Sequence, residues 1–145
     1  MTDDDFNRTL ALCDKVSEQS NDPHTQVGCV LVPRYGWPIC GFNHTPKGVK
    51  LTEARCERPT KYDFVEHSER NAIYEAARMG IRLADATLYM QSIPCTECAR
   101  AVVQSGIATL HYSAARQSAW ASPKYNTFNT ALAILTEGGV AVHVH

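Results

Sequence analysis

Residues 86–112 read ATLYMQSIPCTECARAVVQSGIATLHY, and their pattern decides the fold. Ala86–Gln91 is a short apolar run containing the strand formers Thr87 and Tyr89, which predicts a strand. Pro94 precedes a helix over Cys95–Gln104, and Ser105-Gly106 stops it. Ile107–Tyr112 reads as a second strand. Strand, helix and strand joined by short links make a parallel crossover, which should be right-handed. The alternation continues toward the C-terminus: a helix over Tyr125–Thr136, a stop at Gly138-Gly139, and a strand over Val140–Val144.

On the N-terminal side a helix is expected over His67–Met79, closed by Gly80. Before it, Val27–Val32 reads as a buried strand, Pro33–Pro38 as a turn and Ile39–Phe42 as the returning strand. Thr2 and Asp5 cap a first helix, in which Phe6, Leu10, Cys13 and Val16 recur on one apolar face. Asn21-Asp22-Pro23 then turns the chain. Residues 43–65 differ. They hold Pro46, Gly48 and Pro59, show no periodicity, and read as a long loop. Lys47, Lys50, Arg55, Arg58 and Lys61 are mixed there with Glu53, Glu57 and Asp63, mostly as solvated charges. One or two of them are available to a substrate phosphate or an effector. Helices packed on a mixed, largely parallel sheet place the chain in the α/β class.

Composition narrows the function classes. With 145 residues the chain suits one domain, residues 1–145, with one core. Its formal net charge of -1 lacks the basic excess that grips polymeric nucleic acid, so a small-molecule partner is expected. No apolar run approaches the roughly 20 residues that span a bilayer, so no membrane association is expected. The acidic start MTDDDF is unlike a secretory signal, and the expected compartment is cytoplasmic. There, six cysteines are free thiols or metal ligands rather than disulfides.

The chemistry concentrates in His67-Ser68-Glu69 and Pro94-Cys95-Thr96-Glu97-Cys98. Cys95 and Cys98 lie three apart on one helical turn, so both thiols reach one ion. His67 opens the other helix. Two thiolates and an imidazole suit Zn²⁺. Three protein ligands leave a coordination position for water, the pattern of a catalytic site, whereas a structural site closes with a fourth. Glu69 lies two residues beyond His67, on another azimuth of the helix, where a carboxylate shuttles protons without ligating. Both segments sit at helix starts, where the dipole favours thiolate and developing negative charge. Taken alone, the Cys-x-x-Cys pair also fits a redox dithiol or a structural zinc. The two segments together favour a catalytic metal.

These residues resemble the cytidine and deoxycytidylate deaminase superfamily, whose signature is H-x-E…P-C-x-x-C. The resemblance implies zinc on His67, Cys95 and Cys98, Glu69 as general acid/base, and a three-layer α/β/α sandwich with a five-stranded mixed sheet. Asp22-Pro23-His24-Thr25-Gln26-Val27-Gly28, Gly41-Phe42-Asn43 and Lys61-Tyr62 are similar to segments of deoxycytidylate deaminases in particular. By position, Asn43 is then expected to contact substrate, Val27 and Gly28 to line the base pocket, His24 to lie near phosphate, and Ser68 to be a further substrate contact. Ser68 stands where the family usually has Ala, and His44 where it has Gly. The latter puts nucleotide regulation in doubt. The implied activity is hydrolytic deamination of dCMP or a 5-modified dCMP, with another nucleobase or nucleoside as the alternative. A tRNA deaminase would carry a Glu where this chain has Ile93. A non-catalytic zinc protein would have no use for Glu69. Homo-oligomers, hexamers among them, fit the resemblance.

The remaining candidates read more plainly. Cys29 and Cys40 are expected to be buried in strands and Cys13 in the first helix. Cys56 is a candidate for a second zinc, with no second ligand pair to join it. His143 and His145 alternate on the last strand and are expected to face solvent. Trp120 and Tyr125 are candidates for core or a pocket wall.

Overall fold

The computed structural model describes residues 2–119 and 127–145. Trp120 and Tyr125, and the expected start of the helix at Tyr125, lie outside the described residues. Among those described, the elements are α1 (Asp3–Ser17), β1 (Gly28–Val32), β2 (Ile39–Phe42), α2 (Glu53–Cys56), α3 (Lys61–Phe64), α4 (Ser68–Met79), β3 (Thr87–Met90), α5 (Thr96–Gln104), β4 (Thr109–Tyr112), α6 (Ala114–Ala119), α7 (Phe128–Glu137) and β5 (Ala141–Val144).

The five strands form one sheet in the order β2-β1-β3-β4-β5. β1 pairs antiparallel with both β2 and β3, while β3–β4 and β4–β5 are parallel. β2, β3, β4 and β5 therefore share one direction and β1 alone opposes them. The link through α4 carries the chain from β2 past β1 to a strand parallel to β2.

Side-chain alternation sorts the sheet into two covered faces. Cys29, Leu31, Leu88, Met90 and Leu110 are buried on one face with Ala72 and Ala76 of α4, Ala99 and Val102 of α5, and Ala131 and Leu135 of α7. The small alanines let those helices approach closely. On the other face lies α1, which packs on β1, β2 and β3. Gly28 makes that approach possible: a Cβ there would stand 2.1 Å from the Cys13 carbonyl oxygen. Gly41 serves the opposite face, where a Cβ would stand 2.3 Å from the Ser68 carbonyl oxygen. The result is the expected three-layer α/β/α sandwich.

Thr2 and Asp5 form the expected reciprocal cap of α1, with Phe6, Cys13 and Val16 buried beneath it. Four expectations are corrected. Residues 43–65 include the single-turn helices α2 and α3, too short to show a period. Lys61 in that segment is buried rather than solvated, because Asp22 accepts from it. Cys40 is exposed, since β2 is an edge strand with one uncovered side. His145 lies stacked on Phe6 with ring centroids 3.9 Å apart, so it packs against α1 instead of facing solvent. No helix among the described residues is long and apolar enough to cross a membrane.

Candidate metal centre and active site

The N-termini of α4 and α5 meet at the site. His67 is the N-cap of α4 and Cys95 that of α5, each with an extended ψ (154° and 169°) that turns its side chain out of the helix. The helices thus begin one residue later than read from sequence, at Ser68 and Thr96, with His67 and Cys95 just ahead of them. Cys98 follows in the first turn of α5 and is fully buried. The His67 Nδ1 atom lies 3.5 Å from Cys95 Sγ and 3.5 Å from Cys98 Sγ. Tetrahedral zinc, with Zn–S of about 2.3 Å and Zn–N of about 2.0–2.1 Å, places such N and S atoms about 3.5–3.6 Å apart. The donor set therefore fits zinc in both identity and spacing. It is the one such group of three among the described residues, and Cys56 joins none.

The protons of these ligands are strongly coupled. A hydrogen bond from the Cys98 thiol, against burial and with help from His67, pulls the Cys95 thiol down to about 3. The Cys95 hydrogen bond, against burial and with help from the Glu69 charge, lifts His67 to about 9. Cys98 is pushed up because it supplies the proton that Cys95 shares. Metal entry must then displace protons from His67 and Cys98, so uptake is coupled to pH.

Glu69 occupies the first turn of α4 and is buried at 4% exposure. Its Oε2 accepts from the fully buried Ser68 hydroxyl at 2.9 Å, so Ser68 orients the carboxylate. The charge of Glu69 is felt at both His67 and Cys98, which puts it beside the ligand cluster. Arg70 bridges the two ligand-bearing segments: it pairs with Glu66, next to His67, and with Glu97 of α5 at 2.9 Å. Asn71 Nδ2 donates to the Phe42 carbonyl at 2.9 Å and ties α4 to the end of β2. Neither Arg70 nor Asn71 is among the site residues expected from sequence. The i,i+4 spacing of Glu66 and Arg70 was the one available signal for this bridge.

Asn43 lies just past β2, buried at 5% exposure. Its Oδ1 accepts from the Val27 N–H at 2.7 Å and its Nδ2 donates to the Thr25 carbonyl at 2.7 Å. One lone pair and one amide hydrogen remain for another partner. The Gly28 N–H donates to Gln91 Oε1 at 3.1 Å, so Val27 and Gly28 have their N–H groups engaged within the protein. Asp22 Oδ1 accepts from the His24 and Thr25 N–H groups, and its Oδ2 accepts from Lys61 Nζ at 2.6 Å. His24 itself is exposed.

Comparison with known proteins gives a consistent picture. The family described as the cytidine and deoxycytidylate deaminase zinc-binding region matches residues 3–114. A probable deoxycytidylate deaminase of Caenorhabditis elegans is 33% identical over 110 residues, covering 72% of this chain and 55% of its own length. An uncharacterized deaminase in the luxG 3' region of Aliivibrio fischeri is 34% identical over 104 residues, covering 72% of this chain and 69% of its own. The chain thus spans only about half the length of the worm relative. The crystal structure of the dCMP deaminase from cyanophage S-TIM5 in complex with dCMP and dUMP superposes with a TM-score of 0.77. That match has 22% identity and covers 100% of this chain and 99% of that one, a likeness of fold. The donor set and the zinc-binding family together identify the cofactor as Zn²⁺.

Proposed function

The chain belongs to the cytidine and deoxycytidylate deaminase zinc-binding family, and we propose that it hydrolyses dCMP, or a 5-modified dCMP, to the matching uracil nucleotide and ammonia. The observation that carries this reading is the convergence of His67, Cys95 and Cys98 beside the buried carboxylate of Glu69. The names of the worm relative and the cyanophage neighbour support the choice of a deoxycytidine nucleotide.

His67, Cys95 and Cys98 would hold the zinc. When bound, the ion supplies Lewis-acid activation of a water molecule. Glu69 takes one proton of the water at its carboxylate and delivers it to the pyrimidine N3, then moves the remaining proton, from the new C4 hydroxyl, to the departing amine. Water adds at C4, the C4–N bond breaks, and ammonia leaves with the carbonyl in its place. Ser68 keeps one carboxylate oxygen of Glu69 in a fixed direction through its hydrogen bond. Asn43 holds the Thr25–Val27 wall and offers its remaining amide hydrogen to the substrate's sugar or base. Val27 and Gly28 shape that wall, and His24 stands at its phosphate end.

The protein works as a homo-oligomer in the cytoplasm under this reading. Light scattering tests the oligomeric state, with a hexamer as one expected result. Ammonia release over dCMP, 5-methyl-dCMP, dCTP, deoxycytidine, cytosine, guanine and a tRNA anticodon stem tests the substrate. Highest kcat/KM on dCMP or 5-methyl-dCMP supports the proposal. A preference for guanine or the tRNA stem overturns it.

A further inference from the structure

Taking dCMP as the substrate, as proposed above, we infer that Arg58 is the specificity residue that grips its phosphate, with the Thr25 hydroxyl beside it. The inference comes from the charges around the substrate wall. Lys61 lies behind that wall, buried and paired with Asp22. Arg70 is paired with both Glu66 and Glu97. Arg55 lies over the Phe64 ring at 4.2 Å and donates to the Lys50 carbonyl. Each of these cations has its charge or its donors engaged within the protein.

Arg58 differs from them. It is exposed, and its Nη2 donates to Thr25 Oγ1 at 3.3 Å. Among the described residues it forms no ion pair with a carboxylate. One of its five N–H donors is used, which leaves a planar fork that matches two phosphate oxygens. The Thr25 hydroxyl accepts from Arg58 and keeps its own proton to donate. The Thr25 backbone is fixed from two sides, by Asp22 Oδ1 at 3.2 Å and by Asn43 Nδ2 at 2.7 Å. The guanidinium is thereby anchored to the same three-residue stretch that Asn43 braces against the end of β2. A net charge of -1 does not itself attract a phosphate dianion, so a local fork of this kind is what discriminates nucleotide from nucleoside.

The test compares Arg58→Gln and Arg58→Lys with the wild type on dCMP and deoxycytidine. The expected result for R58Q is a fall of about tenfold or more in the ratio of kcat/KM on dCMP to that on deoxycytidine, through KM. R58K should fall between, because an ammonium keeps the charge without the fork. Inhibition by the product dUMP should weaken in parallel. A ratio within about twofold of wild type, or equal losses on both substrates, overturns the inference. A wild type that deaminates cytosine compounds but none bearing phosphate overturns the dCMP reading itself, and this inference with it. A wild type active on dCMP with an unaltered ratio in R58Q overturns only the role of Arg58.

Discussion

Replacing Lys61 by Met keeps much of the side-chain volume and removes one charge from a buried pair. The wild-type ion pair spans 2.6 Å between side chains only 6% and 3% exposed. At an effective dielectric of about 20 the attraction is about 6 kcal/mol, and desolvation of the two ions offsets most of it. The intact pair is therefore close to neutral for stability, whereas a lone buried carboxylate is not. Lys61→Met should cost about 3–5 kcal/mol at neutral pH. Burial alone would raise the Asp22 carboxyl, but Lys61 and the His24 and Thr25 N–H groups hold it below its ordinary 3.8. In the wild type, the Asp22 contribution is thus present above about 3.8 and lost as pH falls through the lower folded value. In the variant the same carboxyl should be raised, so protonation relieves it and the stability gap narrows between about pH 7 and pH 5. Urea unfolding at both pH values measures this, and adding Asp22→Asn to Lys61→Met should recover part of the loss. A gap under about 1 kcal/mol at neutral pH, or one unchanged on acidification, refutes the assignment of a buried ion pair.

Three further outcomes are expected. Glu69→Gln should retain its metal and its melting temperature but lose about 10²-fold or more in kcat, as expected for a missing proton shuttle; wild-type turnover removes Glu69 from the chemistry. Gly28→Ala should destabilise by about 1–3 kcal/mol or more, because its Cβ meets the Cys13 carbonyl at 2.1 Å and pushes α1 off the sheet; an unaltered unfolding midpoint contradicts that contact. His111 is lowered to about 4 by burial and by neighbouring His143 and His145, so stability should fall as pH drops from about 6.5 toward 4, where only the unfolded chain takes up this proton. The gap is worth at most about 3 kcal/mol and about 1–2 after screening; His111→Asn should show a shallower loss of melting temperature between about pH 7 and 5, and an identical slope excludes His111.

The site was legible in the sequence where chemistry demands particular residue types at fixed spacing. Two thiols three apart on α5 and an imidazole opening α4 have few alternative uses together, and the structure brings them within ligand distance of one another. The hairpin and α4 were legible because their apolar periods run long enough to show. The β1–β3 pairing and the strand order rest on contacts across the chain, which local patterns do not encode. Lys61 looked solvated because its partner Asp22 is 39 residues away. Asn43 was expected to touch substrate; the structure adds that its amide also braces the backbone of Thr25 and Val27. The α2 and α3 turns are single turns without a repeat, and they pack against each other.

The most direct test of the whole account is the metal content of the purified protein, measured by elemental analysis for the wild type and for Cys95→Ala. About one zinc per wild-type chain is expected, and in the variant a loss of metal together with a lower melting temperature. A wild type that deaminates dCMP with no zinc, or a Cys95→Ala protein that keeps a full complement, would contradict it.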